Sequence, residues 1–388
     1  MAAVDTQVAV IGGGVVGSAV VHALARGGVE TVLLEAETGL ALGASGTNSG
    51  ILHTGFDSKP GALETELILR SVALRGELLP ELGVPARRCG ALLRPNDDDE
   101  REAVRLLAQN AAGNGVEAHL DEDGSLTVPG ETVTDPVLFT QALADAARRA
   151  GATVRLGARV TGLGRAGEAG VAVELQGGER LRAQAVVNCA GLYADEVARM
   201  AGDELVSVYP RKGEFLVFSP PPDAALEQIL LPVPSKLGKG VLVFPTLDGH
   251  VIAGPTARER EDKRDWSVEA DAAELILPKA LRMYPPLERA TRIGSYAGLR
   301  PAGRDANYVI ESSRALAGVI HVAAIRSTGL SASLGIAEHV TAKLARETGI
   351  ALAAGGHRHA ALVPPPSGRW WERAGRYHGT PAVEPDAT

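Results

Sequence analysis

Residues 6–35 read TQVAVIGGGVVGSAVVHALARGGVETVLLE. Thr6–Ile11 is short, apolar and rich in β-branched residues, which predicts a buried strand. Gly12-Gly13-Gly14-Val15-Val16-Gly17 follows without a break. Ser18–Arg26 then reads as a small-residue helix closed by Gly27-Gly28, and Glu30–Glu35 as a second strand ending on an acid. The order is strand, G-x-G-x-x-G, helix, strand, acid, with Glu35 lying 18 residues beyond Gly17. Each part has a task in a dinucleotide-binding unit. Gly12 permits the tight turn, Gly14 admits a pyrophosphate to the backbone, and Gly17 lets helix and strand close up. The helix start offers N–H groups and the positive end of its dipole, and Val15 and Val16 just before it are expected at the cofactor. Glu35, followed by Ala36, can accept from ribose hydroxyls.

The next segment separates flavin from nicotinamide. Gly39–Asp57 reads GLALGASGTNSGILHTGFD and is dense in Gly, Ser, Thr and Asn. Such a loop can run along a second phosphate and a flavin ring with backbone donors, where a nicotinamide half-domain normally continues into another helix and strand. Further along, Gly61–Leu82, Val137–Ala150 (started by Asp135-Pro136), Trp266–Tyr284 and Ser331–Thr348 read as helices. Thr153–Arg159, Ala185–Cys189 and Val319–Ile325 read as strands, with a hairpin around Gly177-Gly178. Between about 206 and 296 short apolar runs divided by Pro and Gly (Glu214–Phe218, Gly240–Phe244, His250–Ala253) predict antiparallel strands.

Composition limits the function. The 388 residues carry 39 Lys+Arg against 47 Asp+Glu, a net charge of −8, and aromatics are only 4%. Neither a cationic surface for phosphates nor a base-stacking platform follows, so nucleic acid is excluded as the main partner. The two cysteines, Cys89 and Cys189, make no disulfide framework and read as small core residues. Val8–Ala25 is apolar, but four glycines break it and no basic region precedes it, so it reads neither as a leader nor as a span. A cytoplasmic setting is expected, with peripheral membrane contact and oligomeric state open. His22 reads as packing, His357 and His359 lack metal-ligand neighbours, and no G-x-S-x-G elbow occurs. No metal is expected.

Several segments together resemble the D-amino-acid-oxidase-like (glycine oxidase) superfamily of FAD enzymes, and within it the glycerol-3-phosphate oxidase/dehydrogenase group. They are Thr47–Gly55 with Lys59-Pro60-Gly61, Arg211–Phe215, Gly238-Lys239-Gly240, Pro245 through Gly254-Pro255-Thr256, Gly298-Leu299-Arg300-Pro301 and Ser327-Thr328-Gly329-Leu330. L-2-hydroxyglutarate dehydrogenases are near relatives. The resemblance implies an α/β chain: a Rossmann-like FAD-binding domain, discontinuous over 1–80, 136–205 and 297–360, and an antiparallel-sheet α+β substrate-binding cap over 81–135 and 206–296. Residues 361–388 are a tail. It also implies oxidation of sn-glycerol 3-phosphate to dihydroxyacetone phosphate by hydride transfer to flavin N5, with oxygen or a quinone as acceptor.

The residue roles follow from that likeness. His53 matches the family's active-site histidine and is the expected base; from the loop alone it could equally be a histidine that holds the loop. Arg300 offers a planar fork for anionic oxygens and Lys239 a point charge between two glycines; both match substrate-site positions. Thr47, Asn48 and Ser49 are expected along the flavin, Val160 near the adenine, Ala190 and Gly191 near the pyrophosphate, and Gly298 near the ring. Ser327, Thr328, Gly329 and Leu330 precede a helix whose start can stabilise negative charge on the reduced pyrimidine. Arg326 and Lys212 are weaker cationic candidates. Covalent flavin attachment stays open, as do a hydroxy-acid substrate, an amine or imino-acid substrate, and a non-catalytic flavin carrier.

Overall fold

The computed structural model describes residues 5–167, 170–234, 240–353 and 369–377. Thr6–Ile11 lies in the middle of a parallel array. It pairs with Thr31–Leu34 on one side and with the end of Arg180–Asn188 on the other. Thr153–Arg155 and Val319–Ala323 extend the array outward, also in parallel. Neighbours in space are thus far apart in the chain. The strand alternates its faces, as period two requires. Val8 and Val10 join one core with the helices Val15–Arg26, Pro136–Arg149 and Gly329–Thr348, while Ala9 and Ile11 join another with Val160, Val173 and Val197. A strand covered on both faces reads as a nearly continuous apolar run, which is what residues 8–11 show.

The predicted hairpin forms between Val171–Leu175 and Arg180–Asn188. The second of these strands does two jobs: its start pairs antiparallel within the hairpin and its end pairs parallel with Thr6–Ile11. With Val160–Arg165 and Val309–Ser312 the sheet has eight strands among the described residues. Asp135 caps the helix Pro136–Arg149, its Oδ1 accepting from Val137 N (2.9 Å) and Leu138 N (2.8 Å). An acceptor at the cap and a proline at the first position together fix where that helix starts.

A second sheet, nine-stranded and almost wholly antiparallel, is built on the long pair Val208–Ser219 and Thr291–Gly303. Thr291–Gly303 runs unbroken past residue 297, where the sequence reading puts a domain boundary. Its core stacks Phe215 on Tyr296 with centroids 4.7 Å apart. From the tail, Trp370–Tyr377 is a helix, and its Trp370 packs edge-on against Tyr296 at 5.4 Å.

One helix is shorter than the stretch that predicts it. Trp266–Tyr284 reads mostly as helix, and the helix is Ala272–Met283. The preceding stretch is instead held by side chains. Glu214 Oε1 accepts from Glu269 N (2.7 Å), Lys263 Nζ donates to Asp195 Oδ1 (2.8 Å), and Lys212 Nζ to Asp265 Oδ2 (2.9 Å). These bonds commit the segment to a non-helical course. The strand read over Thr153–Arg159 likewise ends at Arg155. A small sheet, Ile51–Leu52 with Thr132–Thr134 and Ala86–Arg88, fastens the glycine-rich loop beside the second sheet.

Candidate active site

A cleft opens at the carboxyl ends of the parallel strands, lined by Ile11, Leu34 and Cys189, where the chain leaves the neighbouring strands Thr6–Ile11 and Arg180–Asn188 for opposite faces of the sheet. Open α/β sheets bind ligands at such a switch point. The fit to a dinucleotide is visible in the backbone. Gly12 has φ +105°, and a Cβ there would stand 2.5 Å from the Cys189 carbonyl oxygen. A Cβ on Gly17 would stand 1.9 Å from the Gly12 carbonyl oxygen, so no side chain fits between turn and helix. Glu35 accepts from Gly13 N at Oε2 (2.6 Å) and from Glu37 N at Oε1 (2.8 Å). Each oxygen keeps acceptor capacity for a ribose. Burial raises the pKa of this carboxyl, and the bonds from Glu37 and Gly13 oppose that rise. Gly14, Val15, Val16, Ala36, Asn48, Val160, Ala190, Gly191, Gly329 and Leu330 line the same cleft, whereas Gly17 lies beneath it. Ser45, which the sequence did not single out, accepts from Val15 N (2.9 Å) at the helix start.

The cleft continues into a cavity of about 520 Å³; Ala44, Asn48 and Arg326 line both. Thr47, Ser49, His53, Gly298, Arg300, Ser327 and Thr328 converge there from separate parts of the chain. Lys239 lies outside the described residues, as do His357 and His359.

His53 is held from three directions. Its N–H donates to Ser331 Oγ (2.8 Å), its carbonyl accepts from Arg75 Nη1 (3.0 Å), and its Nδ1 meets Glu131 Oε2 at 2.8 Å. Glu131 is fully buried. Its Oε1 accepts from Thr54 N (2.7 Å) and Thr54 Oγ1 (2.8 Å). Pairing of Ile51 with Val133 and Leu52 with Thr132 explains the meeting, since one further step in that register sets His53 opposite Glu131. The sequence reading missed Glu131 because this register joins residues far apart in the chain.

Arg300 pairs across the long strands with Arg211. It donates from Nε to the Arg211 carbonyl (3.0 Å) and from Nη2 to the carbonyls of Lys212 (3.2 Å) and Thr256 (3.1 Å). Burial, with the charges of Arg211 and Arg326 added, lowers its pKa to about 10, so it stays cationic at neutral pH. Among the described residues no carboxylate pairs with any of these three, and Arg211 Nε is buried without a partner. Lys212, a cationic candidate from the sequence, is not in the cavity. Strand alternation turns Arg211, Gly213 and Phe215 into it and Lys212 away, where Asp265 and Glu269 bind its ammonium. Thr328 caps the helix Gly329–Thr348 with no side-chain bond to its first turn; its hydroxyl donates to Glu64 Oε1 and meets Tyr308 Oη at 2.8 Å. His22 is buried and its pKa falls to about 4, through burial and Arg26, as suits a packing residue. Cys89 and Cys189 are free thiols, both pushed up by burial.

A switch-point cleft shaped for a dinucleotide, opening into a cavity with a held imidazole and unpaired guanidinium groups, defines a nucleotide-cofactor oxidoreductase under an antiparallel cap. Residues 7–343 match the family described as FAD dependent oxidoreductase (DAO), and the chain belongs to that family. It is 31% identical over 350 residues to a glycerol 3-phosphate dehydrogenase of Caloramator mitchellensis, covering 86% of this chain and 72% of that one. It is 27% identical to a glycerol 3-phosphate oxidase of Mycoplasma pneumoniae, covering 84% and 91%. The dithionite-reduced L-α-glycerophosphate oxidase structure from Mycoplasma pneumoniae, with FAD bound, superposes with TM-score 0.83 at 25% identity, over 91% of this chain and 97% of that one.

Proposed function

We propose that this chain oxidises sn-glycerol 3-phosphate to dihydroxyacetone phosphate. The observation that carries the reading is the unpaired guanidinium set: Arg300 and Arg211, face to face across two strands, lining the cavity that also holds His53. Like charges directly opposite on a sheet are destabilising unless an anion joins them. A phosphate fits that need, and the named relatives act on such a substrate.

FAD, when bound, supplies the acceptor for the hydride leaving the secondary carbon. The chain does the rest. Gly12, Gly14 and the helix start at Val15 receive the pyrophosphate, Glu35 the ribose, and Asn48, Ser49 and Ser327 border the ring. Arg300 holds the phosphate through its planar fork, with Arg211 and Lys239 as further cations. His53 takes the hydroxyl proton at Nε2 as the carbonyl forms. The eight-stranded sheet with its helices acts as the cofactor-holding unit and the nine-stranded sheet as the cap over the substrate.

Oxygen or a quinone takes the electrons onward, and the chain works in the cytoplasm, where peripheral contact would give access to a membrane quinone. Among the described residues no helix is long and apolar enough to cross a membrane. L-2-hydroxyglutarate is the alternative substrate, since three guanidinium groups could also meet two carboxylates. Anaerobic titration of the holoenzyme decides: sn-glycerol 3-phosphate is expected to bleach the flavin at low concentration, whereas L-2-hydroxyglutarate and free glycerol should not. Bleaching by the hydroxy acid alone would overturn the assignment.

A further inference from the structure

We propose that Glu131 is the positioning residue that fixes the tautomer and aim of His53, so that Nε2 is the nitrogen presented to substrate. This rests on the reading of His53 as the base and deepens it. Nδ1 lies 2.8 Å from Glu131 Oε2, and the His53 side chain is 24% exposed while that of Glu131 is wholly buried. The buried carboxylate therefore takes the inner edge of the ring and leaves the outer edge to the cavity.

Protonation follows from bookkeeping of donors. Both bonds at Glu131 Oε1 come from donors, the N–H and hydroxyl of Thr54. A carboxylate is an acceptor at every lone pair. At Oε2 the partner must then also donate, so Nδ1 carries the hydrogen and Nε2 the lone pair. Were Nδ1 bare, two lone pairs would face each other at 2.8 Å.

The backbone reinforces the aim. Ser331, in the first turn of Gly329–Thr348, takes the His53 N–H, and Arg75 from Leu63–Glu81 takes its carbonyl. Both ring and main chain are thus fixed before substrate arrives. Once His53 gains the hydroxyl proton, Glu131 faces an imidazolium and stabilises it. Other charges bordering the ring's surroundings among the described residues are Arg75 and, on the cavity wall, Asp57, Glu64, Arg211, Lys279, Arg300 and Arg326.

The test compares Glu131→Gln, Glu131→Asp and His53→Gln holoenzymes by single-turnover anaerobic reduction with sn-glycerol 3-phosphate across pH. Glutamine keeps the shape and the Thr54 bonds but turns an amide N–H toward Nδ1, which selects the wrong tautomer. Reduction should slow about 10²–10⁴-fold with FAD content unchanged. The acid limb of its pH profile should move to lower pH, because the imidazolium loses its carboxylate; aspartate should return that limb toward the parent position. Parent rate and parent limb in Glu131→Gln, with His53→Gln slow, would overturn the role of Glu131 alone. Parent rate in His53→Gln would remove the base itself. Should Glu131→Gln not fold, nitrogen NMR of histidine-labelled parent holoenzyme serves, with His53 assigned by its loss in His53→Gln: an Nδ1–H tautomer supports the role and an Nε2–H tautomer overturns it.

Discussion

At the scale of single residues, the site divides by how each residue can be recognised. Gly12, Gly14, Gly17 and Glu35 are legible in sequence because their spacing is local and each spacing has a steric cause. The 1.9 Å approach that a Cβ on Gly17 would make is such a cause made visible. Arg300 and His53 were reached through family segments, not through spacing. Glu131 was reached by neither, since its tie to His53 is a strand register. Lys212 was misjudged for a related reason: adjacent residues on a strand face opposite ways, so one of the neighbours Arg211 and Lys212 had to leave the cavity. Arg300 gives the prediction of this scale. Arg300→Lys keeps a positive charge but loses the fork and the carbonyl bonds that aim it. Hydrogen bonds to charged groups are worth about 1.5–3 kcal/mol, so KM for the phosphate substrate should rise about 10–100-fold. Steady-state kinetics check this, and an unchanged KM would move the phosphate away from Arg300.

At the scale of elements, helices with a sequence-coded start came out where expected. Asp135-Pro136 states both the cap and the first turn. The stretch before Ala272 stays outside the helix because its course is set by partners elsewhere in the chain. Arg258 Nε reaches Glu214 Oε2 (3.0 Å), and Lys263 Nζ reaches both Asp195 Oδ1 (2.8 Å) and Glu196 Oε1 (3.0 Å). The result is a strap that carries Trp266 into the wall of the cofactor cleft. Removing the indole or its anchor should loosen the nucleotide. Trp266→Ala is expected to weaken FAD binding about tenfold, on the scale of one lost aromatic contact, as read from the fluorescence of released flavin. The strap is also acid-sensitive. Burial of Asp265 acts to raise its pKa, but bonds from Ser267 and Lys212 prevail and bring it to about 2, below the ordinary 3.8. A depressed carboxyl stabilises the fold above its unfolded value and loses that contribution as pH falls through the folded one. Flavin release from the parent should therefore quicken between about pH 4 and pH 2. In Lys212→Met, where one cause of the depression is gone, the quickening should be smaller and complete at higher pH; an acid profile identical to the parent's would show that the strap does not govern release.

At the scale of the whole molecule, the charge distribution sets the cavity against the rest of the chain. The net charge is −8, yet the cavity wall has Arg211, Arg300 and Arg326 with no described carboxylate paired to them. Their burial and, after it, their mutual repulsion are a cost borne by the folded state, and both lower the pKa of Arg300. An anion that binds only the folded state offsets the cost and adds stability by mass action, about 2.7 kcal/mol at 100 times its dissociation constant. Inorganic phosphate, a small dianion with no oxidisable carbon, isolates this effect from turnover. The holoenzyme should melt several degrees higher in saturating phosphate than in chloride of equal ionic strength, and phosphate should compete with substrate. In Arg300→Met the repulsion is relieved and the anion's main fork is gone. That variant should show little further rise in phosphate over its own melting point in chloride. Equal phosphate-induced rises in the two proteins would mean that the anion binds elsewhere and that the guanidinium set is not the substrate's anchor.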